Sequence, residues 1–234
     1  MSAQDPGQHS PDTRRSMLAA GAVFVVAAAA FALLAVAVAR RAGPLGPDGS
    51  LLHDVVEWRS GALTTLSRAL TKLGTDLVVY PLLVVGALVC WRRTGRPLPG
   101  VLAIAVFVTG QLIRFGINRT IARPRPPAGL HLVNASGYAF PSGHTTNATM
   151  VYGLLAVLLT MSFSRARWVF ITGAAILAIG VGLSRVYLSV HWATDVAGGW
   201  LFGICWLAFA VLLTSAWGPR ASDENSVIDV KTAR

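Results

Sequence analysis

Along most of this chain the apolar residues run together instead of alternating. Six stretches are almost free of charge: roughly Met17 to Ala39, Thr75 to Trp91, Gly100 to Ile117, His144 to Phe163, Trp168 to Leu183 and Trp192 to Trp217. A bilayer takes about 20 apolar residues of helix to cross, so each run predicts a spanning helix. The fifth run is short and is expected to extend to Tyr187. Backbone polar groups in lipid need internal partners, which helices supply. The expected fold class is therefore all-α, an integral membrane bundle of six transmembrane helices with both termini on one side.

A different pattern fills the gap between the first two runs. From Ser50 to Gly74, Leu52, Val55, Val56, Leu63, Leu66, Leu70 and Leu73 recur at helical spacing, with Asp54, Glu57, Arg59 and Arg68 among them. This predicts one or two amphipathic helices lying in the outer interface. Pro81 is expected to kink the second span, and Gly199 and Gly203, in small-xxx-small spacing, to allow close packing of the sixth. The predicted organisation is a cytoplasmic tail over 1–16, a six-helix membrane domain over 17–217 and a flexible polar tail over 218–234. There is no internal repeat.

Composition agrees with a membrane protein. Of the 234 residues 54% are hydrophobic and 13% charged, about half the charged share of ordinary soluble domains. The net charge of +10 suits cytoplasmic loops, anionic headgroups or an anionic substrate. Nucleic acid is not an expected partner, because the basic residues are split among short loops and form no continuous stripe. Cys90 and Cys205 both lie in apolar runs and read as packing residues, with no disulfide. Thr13-Arg14-Arg15-Ser16-Met17-Leu18 resembles a twin-arginine export signal, and Ala37-Val38-Ala39 a cleavage site. The apolar run exceeds the roughly 7–15 residues of a signal core, and five spans follow, so a retained first helix is expected.

Orientation rests on lysine and arginine. With the N-terminus inside, Arg14, Arg15, Arg92, Arg93, Arg96, Arg165, Arg167, Arg220, Lys231 and Arg234 lie inside, and as many lie outside. Setting aside Arg114, Arg119, Arg123, Arg125 and Arg185, which sit in or beside polar clusters, tips the count to the inside. The termini are thus expected in the cytoplasm.

Those clusters are where chemistry is expected. Span three ends in Ile117-Asn118-Arg119-Thr120-Ile121-Ala122-Arg123-Pro124-Arg125-Pro126. Span four begins after Phe140-Pro141-Ser142-Gly143-His144, and spans five and six are joined through Ser184, Arg185, His191 and Asp195. The parity of six spans places all three on one side. Arginines held together repel unless an anion lies between them, and their planar forks suit phosphate oxygens. Ser142 can cap the helix that follows it, Gly143 admits close approach, and the free N–H groups favour an anion. His191 and Asp195, four apart, can share a helical face. Asp195 then holds one imidazole nitrogen and presents the other as nucleophile or base. His144 is available as a general acid. Two histidines and an aspartate could also ligate a metal, but the arginines would repel a divalent cation, so neither metal nor other cofactor is expected. Ionisable groups at membrane depth are costly, and three clusters on one side point to a site, not to scattered lipid anchors.

These blocks resemble the type 2 phosphatidate phosphatase superfamily of lipid phosphate phosphatases. Its signature reads Lys-x6-Arg-Pro, Pro-Ser-Gly-His, and Ser-Arg-x5-His-x3-Asp. The second block stands as Pro141-Ser142-Gly143-His144, the third as Ser184-Arg185, His191 and Asp195 at the right spacing. In the first, Arg125-Pro126 fits, but the lysine position holds Asn118; the alternative register on Arg123-Pro124 puts Gly116 there. Arg119, adjacent, and Arg114, one turn earlier on the same face, are the candidates to supply the missing charge.

The resemblance implies a metal-independent lipid phosphate or diphosphate hydrolase. His191 would be the nucleophile forming a phosphohistidine, Asp195 its orienting partner and His144 the acid that protonates the leaving oxygen. Arg125, Arg185, Ser142 and Gly143 would hold the phosphoryl group, with Asn118, Arg119, Arg123, Arg114 and Ser184 as further phosphate-binding candidates. The substrate is expected to be a membrane lipid, such as undecaprenyl diphosphate, phosphatidate or phosphatidylglycerol phosphate, met at the extracytoplasmic face of the cell membrane. A lipid phosphotransferase of the same superfamily and a lipid transporter or flippase are the competing readings.

Overall fold

The computed structural model describes residues 11–216 apart from Ala42. The residues before 11 and the predicted tail over 218–234 lie outside the described residues. Eight α-helices follow in order: α1 (Pro11–Arg40), α2 (Asp48–Glu57), α3 (Gly61–Lys72), α4 (Asp76–Thr94), α5 (Leu98–Ile121), α6 (Gly143–Ser162), α7 (Arg167–Tyr187) and α8 (Ala193–Ala216). Six of them, α1 and α4 to α8, are long and apolar enough to cross a membrane. The expected all-α bundle is therefore what the chain forms. Helix α1 starts at Pro11, ahead of the predicted Met17, because proline at a first helical position loses nothing there. Helix α4 runs without a break through Pro81.

Helix α6 is the most buried of the spans and the axis of the bundle. It packs against α4, α5, α7 and α8, while α1 packs on α8 and α3 on α7. Its residues explain this place. Thr145, Thr146, Ala148 and Thr149 are small and buried, so neighbouring backbones come close. Glycines complete the seam: a Cβ on Gly203 would lie 2.6 Å from Thr149 Cβ, and one on Gly199 only 2.8 Å from Thr145 Cβ. The expected close packing of Gly199 and Gly203 is thus against α6. Away from the site, Val79, Leu83, Phe107, Met150, Leu154, Leu158 and Phe202 form the apolar core. The indole N–H groups of Trp200 and Trp206 are satisfied by the Ala178 and Val106 carbonyls, at 3.0 and 2.6 Å.

Short helices α2 and α3 fill the amphipathic segment. Ser60 caps α3 by accepting from Leu63 N at 3.3 Å. Their arginines do more than face headgroups. Arg59 Nη2 donates to the Leu130 carbonyl (2.7 Å) and to Ser189 Oγ (2.8 Å), and Arg68 Nη2 to the Leu132 carbonyl (3.1 Å). These bonds tie α3 and the link between α2 and α3 to the long connection between α5 and α6 and to the α7–α8 turn. That connection leaves α5 through Ala122 in left-handed conformation (φ 50°). A connection of this length inside a compact bundle is the kind that carries function.

Candidate active site

The α5–α6 connection, the start of α6, the end of α7 and the α7–α8 turn meet at one end of the bundle. They enclose a cavity of about 670 Å3 lined by Arg114, Asn118, Arg119, Arg125, Gly143, His144, Arg185 and His191, with residues 134–138 as its rim. The three sequence blocks, far apart in the chain, thus face one space.

His191 lies in the turn before α8. Its Nδ1 is 3.5 Å from Asp195 Oδ2, and its Nε2 is 3.0 Å from Arg125 Nη1. A carboxylate beside Nδ1 favours the proton there, which leaves the Nε2 lone pair toward the cavity. Burial and the charges of Arg125 and Arg185 push the His191 pKa well below its ordinary value, so the ring is neutral near pH 7. Asp195 is itself fixed twice. Its Oδ2 accepts from Trp192 N at 2.9 Å, the carboxylate half of a capping box at the start of α8. Its Oδ1 accepts from Arg123 Nη1.

Arg123 corrects an expectation. It is a phosphate-binding candidate by sequence, but its side chain is fully buried and does not line this cavity. It sits between Asp195 and Asp48, with Nη2 2.7 Å from Asp48 Oδ2, and Nη1 also donates to Thr194 Oγ1 at 2.7 Å. Two buried carboxylates hold this guanidinium more firmly than a solvated anion could. Asp48, at the start of α2, is the partner that sequence reasoning missed. It accepts from Leu45 N (2.9 Å), Thr194 N (3.0 Å) and Thr194 Oγ1 (2.7 Å). Burial pushes its pKa up, but these donors and Arg123 more than offset that and hold it low.

Two serines also sit differently from expectation. Ser142 occupies the N-cap position of α6, but its Oγ accepts from Thr145 Oγ1 at 3.0 Å, not from a backbone N–H. Ser142 is fully buried, directly before Gly143 and His144, which do line the cavity. Ser184 Oγ donates to the Val181 carbonyl at 2.6 Å, inside α7, and is outside the cavity. The uncapped first turn of α6 leaves the N–H groups at Gly143 and His144 facing the cavity residues.

The cavity arginines differ in what they are bonded to. Arg125 Nε donates to Gly137 O (3.0 Å), Nη1 to Val190 O (2.6 Å), and Nη2 to Ser136 O (2.9 Å) and Tyr138 O (3.3 Å). Arg185 Nη1 donates to Thr71 Oγ1 at 2.6 Å, while its buried Nε has no partner. Arg119 is exposed and stacks over Phe115, 4.9 Å from the ring centre. Asn118, at the position of the absent lysine, donates to Tyr138 O (3.2 Å) and Phe140 O (2.9 Å) and so braces the rim. Two further polar residues were passed over in the sequence. Gln111 and Asn147 bridge α5 to α6, and a polar residue one turn from Arg114 or His144 inside an apolar span was the available signal. Among the described residues, no group of three or more His, Cys, Asp and Glu is arranged to hold a metal ion.

The sequence model of the PAP2 superfamily matches residues 97–219. The chain is 34% identical over 163 residues to phosphatidylglycerophosphatase B of Bacillus subtilis, covering 67% of this chain and 78% of that one. It is 32% identical over 155 residues to an undecaprenyl-diphosphatase of Sulfolobus acidocaldarius, covering 64% and 69%. The crystal structure of a transmembrane PAP2-type phosphatidylglycerolphosphate phosphatase from Bacillus subtilis superposes with a TM-score of 0.76 at 30% identity, over 85% of this chain and 98% of that one.

Proposed function

This chain belongs to the PAP2 superfamily and is a multi-pass membrane hydrolase of lipid phosphates or diphosphates, and from that premise we propose a metal-independent reaction through a phosphohistidine on His191. The observation that carries the proposal is His191 itself. It is a buried imidazole with Nδ1 3.5 Å from Asp195 Oδ2 and Nε2 toward a cavity of arginines.

The steps follow from these groups. A terminal phosphoryl group enters the cavity and takes Nη1 of Arg125, replacing its bond to the reacting nitrogen, and Nη2 of Arg185, which meets no protein acceptor among the described residues. The N–H groups at the start of α6 take a further oxygen. His191 Nε2 attacks phosphorus in line. The bond from that phosphorus to its bridging oxygen breaks, the oxygen leaving on the lipid alcohol of a monophosphate or on the inner phosphate of a diphosphate, and His144 gives it a proton. His191 gains positive charge as it bonds, and Asp195, already bonded to Arg123 and the Trp192 N–H, balances it without moving. Water deprotonated by His144 then attacks phosphorus, releasing inorganic phosphate and the free imidazole.

The relatives make phosphatidylglycerol phosphate the first substrate to try and undecaprenyl diphosphate the second; both present a terminal phosphate on an apolar tail. We place the termini in the cytoplasm and the cavity on the extracytoplasmic side. The bonds of Arg59 and Arg68 to the connection support this, since they give two more outer arginines a job other than topology.

The test is phosphate release from purified lipid phosphates in detergent with EDTA present. Wild type is expected to turn over, and His191→Ala to lose more than about 1,000-fold, as for loss of a covalent nucleophile. Activity that needs an added divalent metal, or full activity in His191→Ala, would sink the mechanism. In sealed right-side-out vesicles, an impermeant thiol reagent should label Ser136→Cys, which lines the rim. Labelling only after the vesicles are opened would reverse the orientation.

A further inference from the structure

Four arginines line the cavity, and their free donors are unequal. Every donor group of Arg125 meets a protein acceptor, most of them rim carbonyls. Arg119 lies stacked on Phe115 at the exposed mouth. Arg185 keeps part of its head unspent. Arg114 keeps more. Its Nε donates to Gln111 Oε1 at 2.8 Å, and among the described residues neither terminal nitrogen meets a hydrogen-bond acceptor.

Where those nitrogens point is informative. A Cβ on Gly143 would lie 3.3 Å from Arg114 Nη1, so the guanidinium covers the first turn of α6, where N–H groups are also free. Two sources of positive charge, both partly unsatisfied, therefore share one spot inside a largely apolar bundle. That is unfavourable unless an anion joins them. The stem of Arg114 is not loose. Gln111 Nε2 donates to Asn147 Oδ1, and Asn147 Nδ2 donates to Asp76 Oδ1 at 2.7 Å. This chain of side chains spans α5, α6 and α4 and fixes Nε, leaving the fork end aimed at the cavity. Asp76 also lines the cavity and its charge acts on Arg114, but among the described residues no ion pair joins the two, so the terminal nitrogens remain open to a ligand.

We propose that Arg114 is a phosphate-contacting residue: its two terminal nitrogens take non-bridging oxygens of the phosphoryl group over the first turn of α6, opposite Arg185. The proposal rests on the phosphatase reading above. It also accounts for a neutral Asn118. With the cation supplied one turn deeper on α5, the amide at 118 is free to brace the carbonyls of Tyr138 and Phe140.

Orthovanadate is the probe, since it mimics the phosphoryl group and needs no lipid. Its binding is read as a rise in melting temperature of the detergent-solubilised protein and as inhibition of turnover. Arg114→Gln should weaken vanadate binding and raise KM by roughly 10- to 100-fold, the factor for one lost charge-assisted hydrogen bond. Adding Asn118→Lys to that variant restores a cation from the same helix face and should recover part of the loss. Wild-type vanadate affinity in Arg114→Gln would overturn the proposal, as would a wild type that binds no vanadate. Should Arg114→Gln fail to fold, Arg114→Lys decides. Lysine cannot hold Gln111 and reach the cavity with a fork, so affinity equal to wild type would again overturn it. Vanadate binding that depends on Arg114 in a protein releasing no phosphate from any lipid would keep the contact and discard the hydrolase reading.

Discussion

Asp48 and Asp195 come from opposite ends of the chain to one guanidinium, and that meeting governs several expectations at the residue scale. Asp48→Ala leaves Arg123 half-paired and strands the N–H groups of Leu45 and Thr194. Breaking a buried ion pair on one side costs about 3–5 kcal/mol, so the melting temperature in detergent should fall clearly. Asp195 also loses its brace. In the protein that remains folded kcat should drop more than KM, and Asp48→Asn, which keeps an acceptor, should recover much of both. Equal kcat in Asp48→Ala would show that Arg123 holds Asp195 unaided. Acid should destabilise the fold in two stages. The folded His191 resists protonation, whereas an unfolded histidine takes a proton near pH 6.5, so stability declines as pH drops through about 6.5. Asp48 has a lowered pKa, so its contribution is intact above about 3.9, the unfolded value, and is lost below it. Melting curves against pH check this, and the first decline should be shallower in His191→Gln. Sequence made His144, Arg185 and His191 legible because their spacing is local. Asp48 shares no spacing with them, and although the first block favoured Arg125 over Arg123, the ion pairs that occupy Arg123 were not visible in the sequence.

At the scale of elements, the apolar runs located all six spans because membrane length is a strong constraint on sequence. The seam between α6 and α8 was half legible. The small residues of α8 were visible, but their partner was not, since periodicity on one helix does not name the helix it faces. Gly203→Leu tests the seam. Its first side-chain carbon would already stand 2.6 Å from Thr149 Cβ, too close for any rotamer to relieve. Overpacking of this kind costs about 1–3 kcal/mol, and α6 carries Gly143 and His144 at its head. We expect a lowered melting temperature together with reduced turnover. A change at Gly173, where an added Cβ meets nothing within 4 Å, should leave both unaltered. The amphipathic run over α2 and α3 was legible as helix. That Arg59 and Arg68 reach down to Leu130 and Leu132 was not, because a surface arginine reads the same with or without a partner.

For the whole molecule, six crossings put the polar blocks on one side, and the fold gathers them into a single cavity at one end of the bundle. That arrangement suits a substrate whose phosphate meets arginines while its tail stays among the exposed apolar residues of the outer helix faces. The Bacillus subtilis crystal structure shares the fold over most of both chains. The bonds from α3 and the link before it to the connection at 130 and 132 have one more consequence. Helices α2 and α3 are too short to cross, with Leu63 and Leu66 exposed, and the points held, 130 and 132, lie just ahead of the 134–138 rim. The connection that carries the rim is therefore moored by arginine side chains and not by backbone pairing. A single substitution at Arg59 or Arg68 removes one mooring without touching a residue that lines the cavity.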